Sequence, residues 1–184
     1  MKYTARVMDS RDIETQLYSS LEPVAKGLGM VILELSLFRR KGRGSSPGSV
    51  QIRVTAYKKG TMGVDDCSLL HRAILPRLEL AFPGIELYLE VSSPGIGRLI
   101  KDGSEMIHFI GRGIKCYRAA DSDINGDSNG SAGKDSVKPD GSGWISGILK
   151  EADEKGVVLD TVNGKIALTY ENIAKAKLSE TEYV

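Results

Sequence analysis

Two apolar periodicities alternate along the first half of the chain, and only one of them continues through the second half. Ile13, Leu17, Leu21, Val24 and Leu28 step by four, four, three and four, which is one stripe of an α-helix. Pro23 inside that stripe removes a backbone donor and is expected to kink it, and Gly27 and Gly29 end it. The period then becomes two. Leu33, Leu35 and Leu37 alternate with Glu34 and Ser36, predicting a strand over 31–38. Val50, Ile52, Val54 and Ala56 alternate with Gln51, Arg53, Thr55 and Tyr57, predicting a second strand over 50–57. The Gly/Ser-rich link 39–49 makes the pair a loose hairpin. A helical stripe returns at Cys67, Leu70, Ile74, Leu78 and Ala81 or Phe82, with Asp65 or Asp66 as its cap and Pro76 inside. Pro83-Gly84 stops it, and 85–91 alternates again as a third strand.

Helix, strand, strand, helix, strand makes a complete two-layer α+β domain over 1–92. Ser92-Ser93-Pro94-Gly95 punctuates its end, with Pro before Gly favouring a type II turn that gives Gly95 a positive φ. Residues 93–101 are expected to be an interdomain linker. From 102 to 184 the pattern is all-β, with short strands at 114–118, 144–150, 157–162, 165–170 and 175–178. Asn163-Gly164 marks a hairpin, and Glu171-Asn172-Ile173-Ala174 a single helical turn before the last strand. Five such strands suggest a small SH3-like or Sm-like β-barrel. Residues 121–143 interrupt it, 18 of the 23 being Gly, Ser, Asp, Asn or Pro, and this segment is expected to be a disordered insertion.

Charge divides along the same line. Residues 1–92 carry 13 basic and 10 acidic side chains (+3), and 93–184 carry 12 and 14 (−2), with five Asp and two Lys in the insertion alone. The balance falls well short of a stand-alone nucleic-acid binder. No apolar run approaches the ~20 residues that a membrane-spanning helix needs. Met1-Lys2-Tyr3-Thr4-Ala5-Arg6 runs straight into Asp9, Arg11 and Asp12, which is no secretory signal. Cys67 and Cys116 give neither a disulfide framework nor a zinc cluster. The expectation is a cytoplasmic protein without a cofactor or metal.

Catalytic arrangements are thin. His71 and His108 belong to no metal-binding motif and read as boundary histidines, and Asp65-Asp66 is explained by capping. Gly95-Ile96-Gly97 lacks the third glycine of a dinucleotide-binding turn. The chain does not read as an enzyme. Binding features are richer. Arg39, Arg40, Lys41 and Arg43 crowd the tip of the first hairpin, and Arg53, Lys58 and Lys59 lie on or just beyond the partner strand, a set suited either to phosphates or to a solvated loop. Tyr57 and Tyr88 fall on polar strand faces and could stack on bases or pack at a sheet margin. Trp144, the only tryptophan, opens a strand directly after the insertion, as a core residue or as part of a protein-binding surface.

The run Leu89-Glu90-Val91-Ser92-Ser93-Pro94-Gly95-Ile96-Gly97-Arg98-Leu99-Ile100 resembles the signature that joins the two domains of the RimP family of bacterial ribosome maturation factors, Ser-Ser-Pro-Gly-Leu-Asp-Arg-Pro-Leu. Glu22-Pro23-Val24 through Leu28-Gly29-Met30 is similar to that family's first helix and its exit. Gly63-Val64-Asp65-Asp66-Cys67 is similar to the start of its second helix, and Gly111-Arg112 with Gly147, Val158, Leu168 and Ile173 to its barrel. The matched signature residues are Ser92, Ser93, Pro94, Gly95 and Arg98. The family's Asp is Gly97 here and its second Pro is Leu99, so an Asp–Arg pairing across the turn is lost. The resemblance implies a monomeric, non-enzymatic assembly factor for the small ribosomal subunit. Such a factor acts on free immature subunits, contacts the small-subunit ribosomal protein numbered twelve, and promotes late folding of small-subunit rRNA. On that view the N-terminal sheet face, the basic hairpin and Arg98 hold RNA, and the barrel around Trp144 holds the protein. The acidic insertion would attract that protein's basic surface. The competing expectation is a general RNA-binding protein or RNA chaperone.

Overall fold

The computed structural model describes residues 10–42, 48–60, 62–118 and 143–180. It is an α+β structure in two compact units, Met1–Pro94 and Gly95–Val184. Arg43 and residues 121–142 of the expected insertion lie outside the described residues.

In the first unit, α1 (Ser10–Gly27), β1 (Met30–Arg40), β2 (Ser49–Lys58), α2 (Val64–Ala81) and β3 (Glu86–Ser92) follow the order that the periodicity implies. The sheet order is β1-β2-β3, with β1–β2 antiparallel and β2–β3 parallel. Both helices bury one stripe against one face. Leu17, Leu21 and Ala25 from α1 and Leu70, Ile74 and Leu78 from α2 meet Val50, Ile52, Val54 and Ala56, each of these four at most 2% exposed. The central strand therefore has one fully apolar face, and replacing one of its large side chains by Ala would cost roughly 2–5 kcal/mol.

Pro23 and Pro76 each lie inside a continuous helix, so neither proline breaks its helix. Each helix is held on both sides of its proline by buried residues, Leu21 and Ala25 in one case and Ile74 and Leu78 in the other. Two residues after α1, Gly29 takes φ +71°, and this left-handed residue turns the chain into β1. The exposed edge of β1 is partly satisfied by α1, since the Leu37 N–H donates to Glu14 Oε1 at 2.9 Å. At the start of α2, Asp66 accepts from the Gly63 N–H at 3.0 Å and from Lys58 Nζ at 2.8 Å. Neither aspartate is the N-cap itself: that position is Gly63, and Asp66, at the third helical position, reaches back to its N–H.

The second unit is a six-stranded sheet, order β4-β9-β5-β6-β7-β8. It comprises β4 (Leu99–Ile100), the short α3 (Gly103–Met106), β5 (Gly113–Arg118), β6 (Trp144–Ala152), β7 (Gly156–Thr161), β8 (Gly164–Thr169) and β9 (Ile173–Leu178). A 3-10 turn at Tyr170–Asn172 precedes β9, one residue before the expected helical turn. No ladder joins β4 to β8, so among the described residues the hydrogen-bonded sheet is open rather than a closed barrel. Phe109, Ile114, Cys116, Leu149 and Leu159 are fully buried. Residues 99–100, expected to be linker, form β4 against Lys177 and Ala176 of β9. Gly156 lets β7 and β8 approach closely, because a Cβ there would sit 2.2 Å from the Leu168 carbonyl oxygen.

Candidate nucleic-acid interface

Strand alternation decides where each hairpin cation goes. Arg39 lies on the helix-side face, its guanidinium 5.5 Å from the Phe82 ring centroid. Its neighbour Arg40 falls on the opposite, open face, and Lys41 lies just past the strand end, exposed. Antiparallel pairing also separates the set lengthwise. Arg40 stands opposite Ser49, whereas Lys58 stands opposite Met30, nine residues further along β2 and so about 30 Å away. Lys58 is bound to Asp66, with Lys59 exposed beyond it. The expected single cluster of Arg39, Arg40, Lys41, Arg53, Lys58 and Lys59 is thus distributed over two faces and two ends of the hairpin.

The open face of this sheet carries Phe38, Arg40, Gln51, Arg53, Glu86, Tyr88 and Glu90. Phe38 and Tyr88 are 51% and 53% exposed. Arg53 bonds Glu90 at 3.1 Å and lies 5.6 Å from the Phe38 ring centroid. Tyr88 donates its hydroxyl proton to Glu86 at 2.5 Å, and this bond raises the phenol pKa above its ordinary value. Glu34, opposite Thr55, lies on the same face, so the two arginines meet three carboxylates and the face is aromatic but carries no excess of positive charge. Tyr57, opposite Val31 of β1 and beyond the end of the ladder with β3, is 6% exposed and so is not available on this face.

The signature segment folds differently from expectation. Gly95 does not take a positive φ; Gly97 does, at +80°. The Arg98 N–H donates to the Gly95 carbonyl at 3.1 Å, so the turn runs over Gly95–Arg98 with Gly97 at its third position, two residues later than Pro94 suggested. The reason is tertiary. The Gly97 N–H donates to Leu178 O at 3.1 Å and the Leu178 N–H to Arg98 O at 3.0 Å, which locks the turn to β9. Ser92 belongs to β3, while Ser93 and Gly95 are exposed and Pro94 is half-buried.

Arg98, expected at RNA, is instead paired with Glu105, their side chains 13% and 8% exposed. Glu105 also accepts the Lys101 N–H at 2.9 Å, and Asp102 caps α3 by accepting from the Glu105 N–H at 3.1 Å. The bond from Ser104 to Asp102 holds the Asp102 carboxyl below its usual range. Arg98 thus has its carboxylate after all, supplied by α3 rather than by residue 97. A buried, paired guanidinium of this kind is a structural group rather than a phosphate hook.

Trp144 is half-buried on the outer face of β6. Tyr117 meets it edge-on with ring centroids 5.2 Å apart, and Lys177 Nζ lies 4.6 Å from its centroid. In the cross-strand register Tyr117 pairs with Trp144 on one side and Lys175 on the other, and Lys115 pairs with Ser146 and Lys177. Lys115, Lys175 and Lys177 went unnoticed in the sequence, although each alternates with a buried neighbour (Ile114, Cys116, Ala176 or Leu178), the mark of an outward strand position. Beneath them, burial pushes the Cys116 thiol up to about 12, which removes it as a nucleophile. Among the described residues no group of three or more His, Cys, Asp or Glu is placed to hold a metal, and no helix is long and apolar enough to cross a membrane.

Comparison with known proteins bears on both units. The family model described as RimP N-terminal domain matches residues 20–97. A protein of Borrelia turicatae named Ribosome maturation factor RimP is 29% identical over 165 residues, 90% of this chain and 95% of the relative. Its namesake in Borrelia hermsii is 28% identical over the same shares. That of Borreliella afzelii is 27% identical over 168 residues, 91% of this chain and 96% of the relative. Most of the first unit is thus similar to the RimP N-terminal domain, and the alignments with proteins named Ribosome maturation factor RimP run through both units.

Proposed function

We propose that this protein is a ribosome maturation factor that acts on the free, immature small ribosomal subunit. It would bind there to assist incorporation of the ribosomal protein numbered twelve and late folding of the subunit's rRNA. One observation carries the reading: relatives named Ribosome maturation factor RimP align with nine-tenths of this chain and an even larger share of their own length. The folded surfaces suit it, since aromatic and cationic side chains share a sheet face in each unit, the aromatics exposed in the first and half-buried in the second. We read the second unit as a strongly curled SH3-like sheet. The return of β9 to pair with β5 and the 3-10 turn just before β9 support this.

The test is co-sedimentation of the purified protein with immature small subunits, mature small subunits, large subunits and bulk RNA across a salt series. The proposal expects selective retention on immature small subunits at physiological salt. Equal, salt-labile retention on every RNA would replace it with a general RNA binder, because a purely electrostatic interaction weakens steeply with ionic strength.

A further inference from the structure

We infer that a single strand of RNA binds the outer face of β9, β5 and β6, with phosphates on Lys115, Lys175 and Lys177 and bases against Tyr117 and Trp144. The inference rests on the ribosomal reading above and assigns the RNA contact to the second unit, where the sequence had pointed to the first. Two cross-strand rows carry it. One row runs Leu99, Lys177, Lys115, Ser146 and the next runs Lys175, Tyr117, Trp144. Neither row contains a carboxylate. Lys115 and Lys177 stand directly opposite each other, an arrangement that destabilises a sheet unless an anion offsets it. Among the described residues none of the three lysines forms a salt bridge to a carboxylate.

The surroundings mark the limits of this face. Glu180, two residues past the end of β9, lines one pocket with Lys115 and Lys177 and is the carboxylate that adjoins this face, while on the next strand pair Lys150 is already neutralised by Asp160 at 3.4 Å. The open face of the first unit, by contrast, sets Arg40 and Arg53 against Glu34, Glu86 and Glu90, and Arg53 is bonded to Glu90. Phosphate binding gains from unmatched cations, so the first unit's face lacks what the second has. Aromatic rings interleaved with those cations favour a nucleic acid over an acidic peptide, because bases stack on such rings irrespective of sequence. Trp144 is held by the edge of Tyr117 and by Lys177, so its ring is ordered before any base arrives.

Because Trp144 is the only tryptophan, its fluorescence reports on this face directly. The experiment titrates the full chain with a short single-stranded oligouridylate, and separately with polyglutamate, over a salt series. It then repeats the titration with Lys115→Gln/Lys175→Gln, which leaves the Lys177–Trp144 contact in place. The expected result is quenching by the oligouridylate, with a log–log salt slope that falls by about 0.7 for each lysine removed. The variant should melt no lower than the parent, since a like-charge opposition has been relieved. An unchanged slope and affinity in the variant overturns the proposal, as does equal quenching by polyglutamate. Should the parent chain co-sediment selectively with immature subunits yet leave oligouridylate unbound, this surface falls and the ribosomal reading stands. Loss of both removes both.

Discussion

Gly97 holds φ +80° with nothing near its absent Cβ, and the next residue, Arg98, is locked to Glu105. A Cβ at position 97 would therefore meet no neighbour, and the cost at that atom would be conformational. Gly97→Val should destabilise the second unit by about 1–3 kcal/mol, the usual cost of holding a bulky residue in a left-handed conformation. Gly97→Asp, which places there the aspartate of the RimP signature, should cost less, because Asp enters that region more readily than a β-branched residue does. Thermal melts of the two variants compare them, and equal losses would mean that the turn's conformation is not what the substitution disturbs. Pro94-Gly95 drew the turn to itself in the sequence, since Pro before Gly is a strong local signal. What moved it was a long-range contact: the carbonyl and N–H of Leu178 hold residues 97 and 98, and no local pattern announces that partner.

The elements that were legible have a period long enough to count. The alternation through Val50, Ile52, Val54 and Ala56 defines one face of β2, and the helical stripes through Leu21 and Ile74 define what covers it. Elements β4, with two residues, and α3, with four, are too short to show any period, and both escaped notice. Glu105, the buried carboxylate of α3, was missed for the same reason. The dispersal of the hairpin cations, on the other hand, followed from arithmetic already available, because in an antiparallel pair the start of one strand meets the end of the other. At the start of α2, Lys58 and the Gly63 N–H both bond the Asp66 carboxylate and lower its pKa, the lysine contributing most. A group whose pKa is depressed by folding stabilises the native state above its unfolded pKa and loses that contribution as the pH falls through the folded value. Asp66→Ala should therefore lower the melting temperature at neutral pH, and the gap from the parent should narrow progressively with acidification below the ordinary carboxylate range. A gap independent of pH would show that the carboxylate's charge is not the source.

Over the whole molecule, the two sheets are completed at different points of the chain. All three strands of the first are present by Ser92, and their pairing is settled by β2, which lies between the other two. In the second, β9 lies between β4 and β5, so Leu178 reaches back to pair with Ile114. Removing β9 should leave β4 without a partner and β5 with one bare edge. A chain ending at Thr169 is therefore expected to retain the amide protection of the first sheet and lose that of β4 and β5, read by hydrogen exchange. Retained protection in β5 would mean that β6 alone secures it. During synthesis this topology sets an order. The first unit can fold while the second is still being made, but the strand that seals the second unit emerges after every other strand it must join. The lysine–aromatic surface, which needs β9 for two of its three lysines, is thus the last part of the described fold to exist, and a nascent chain cannot present it early.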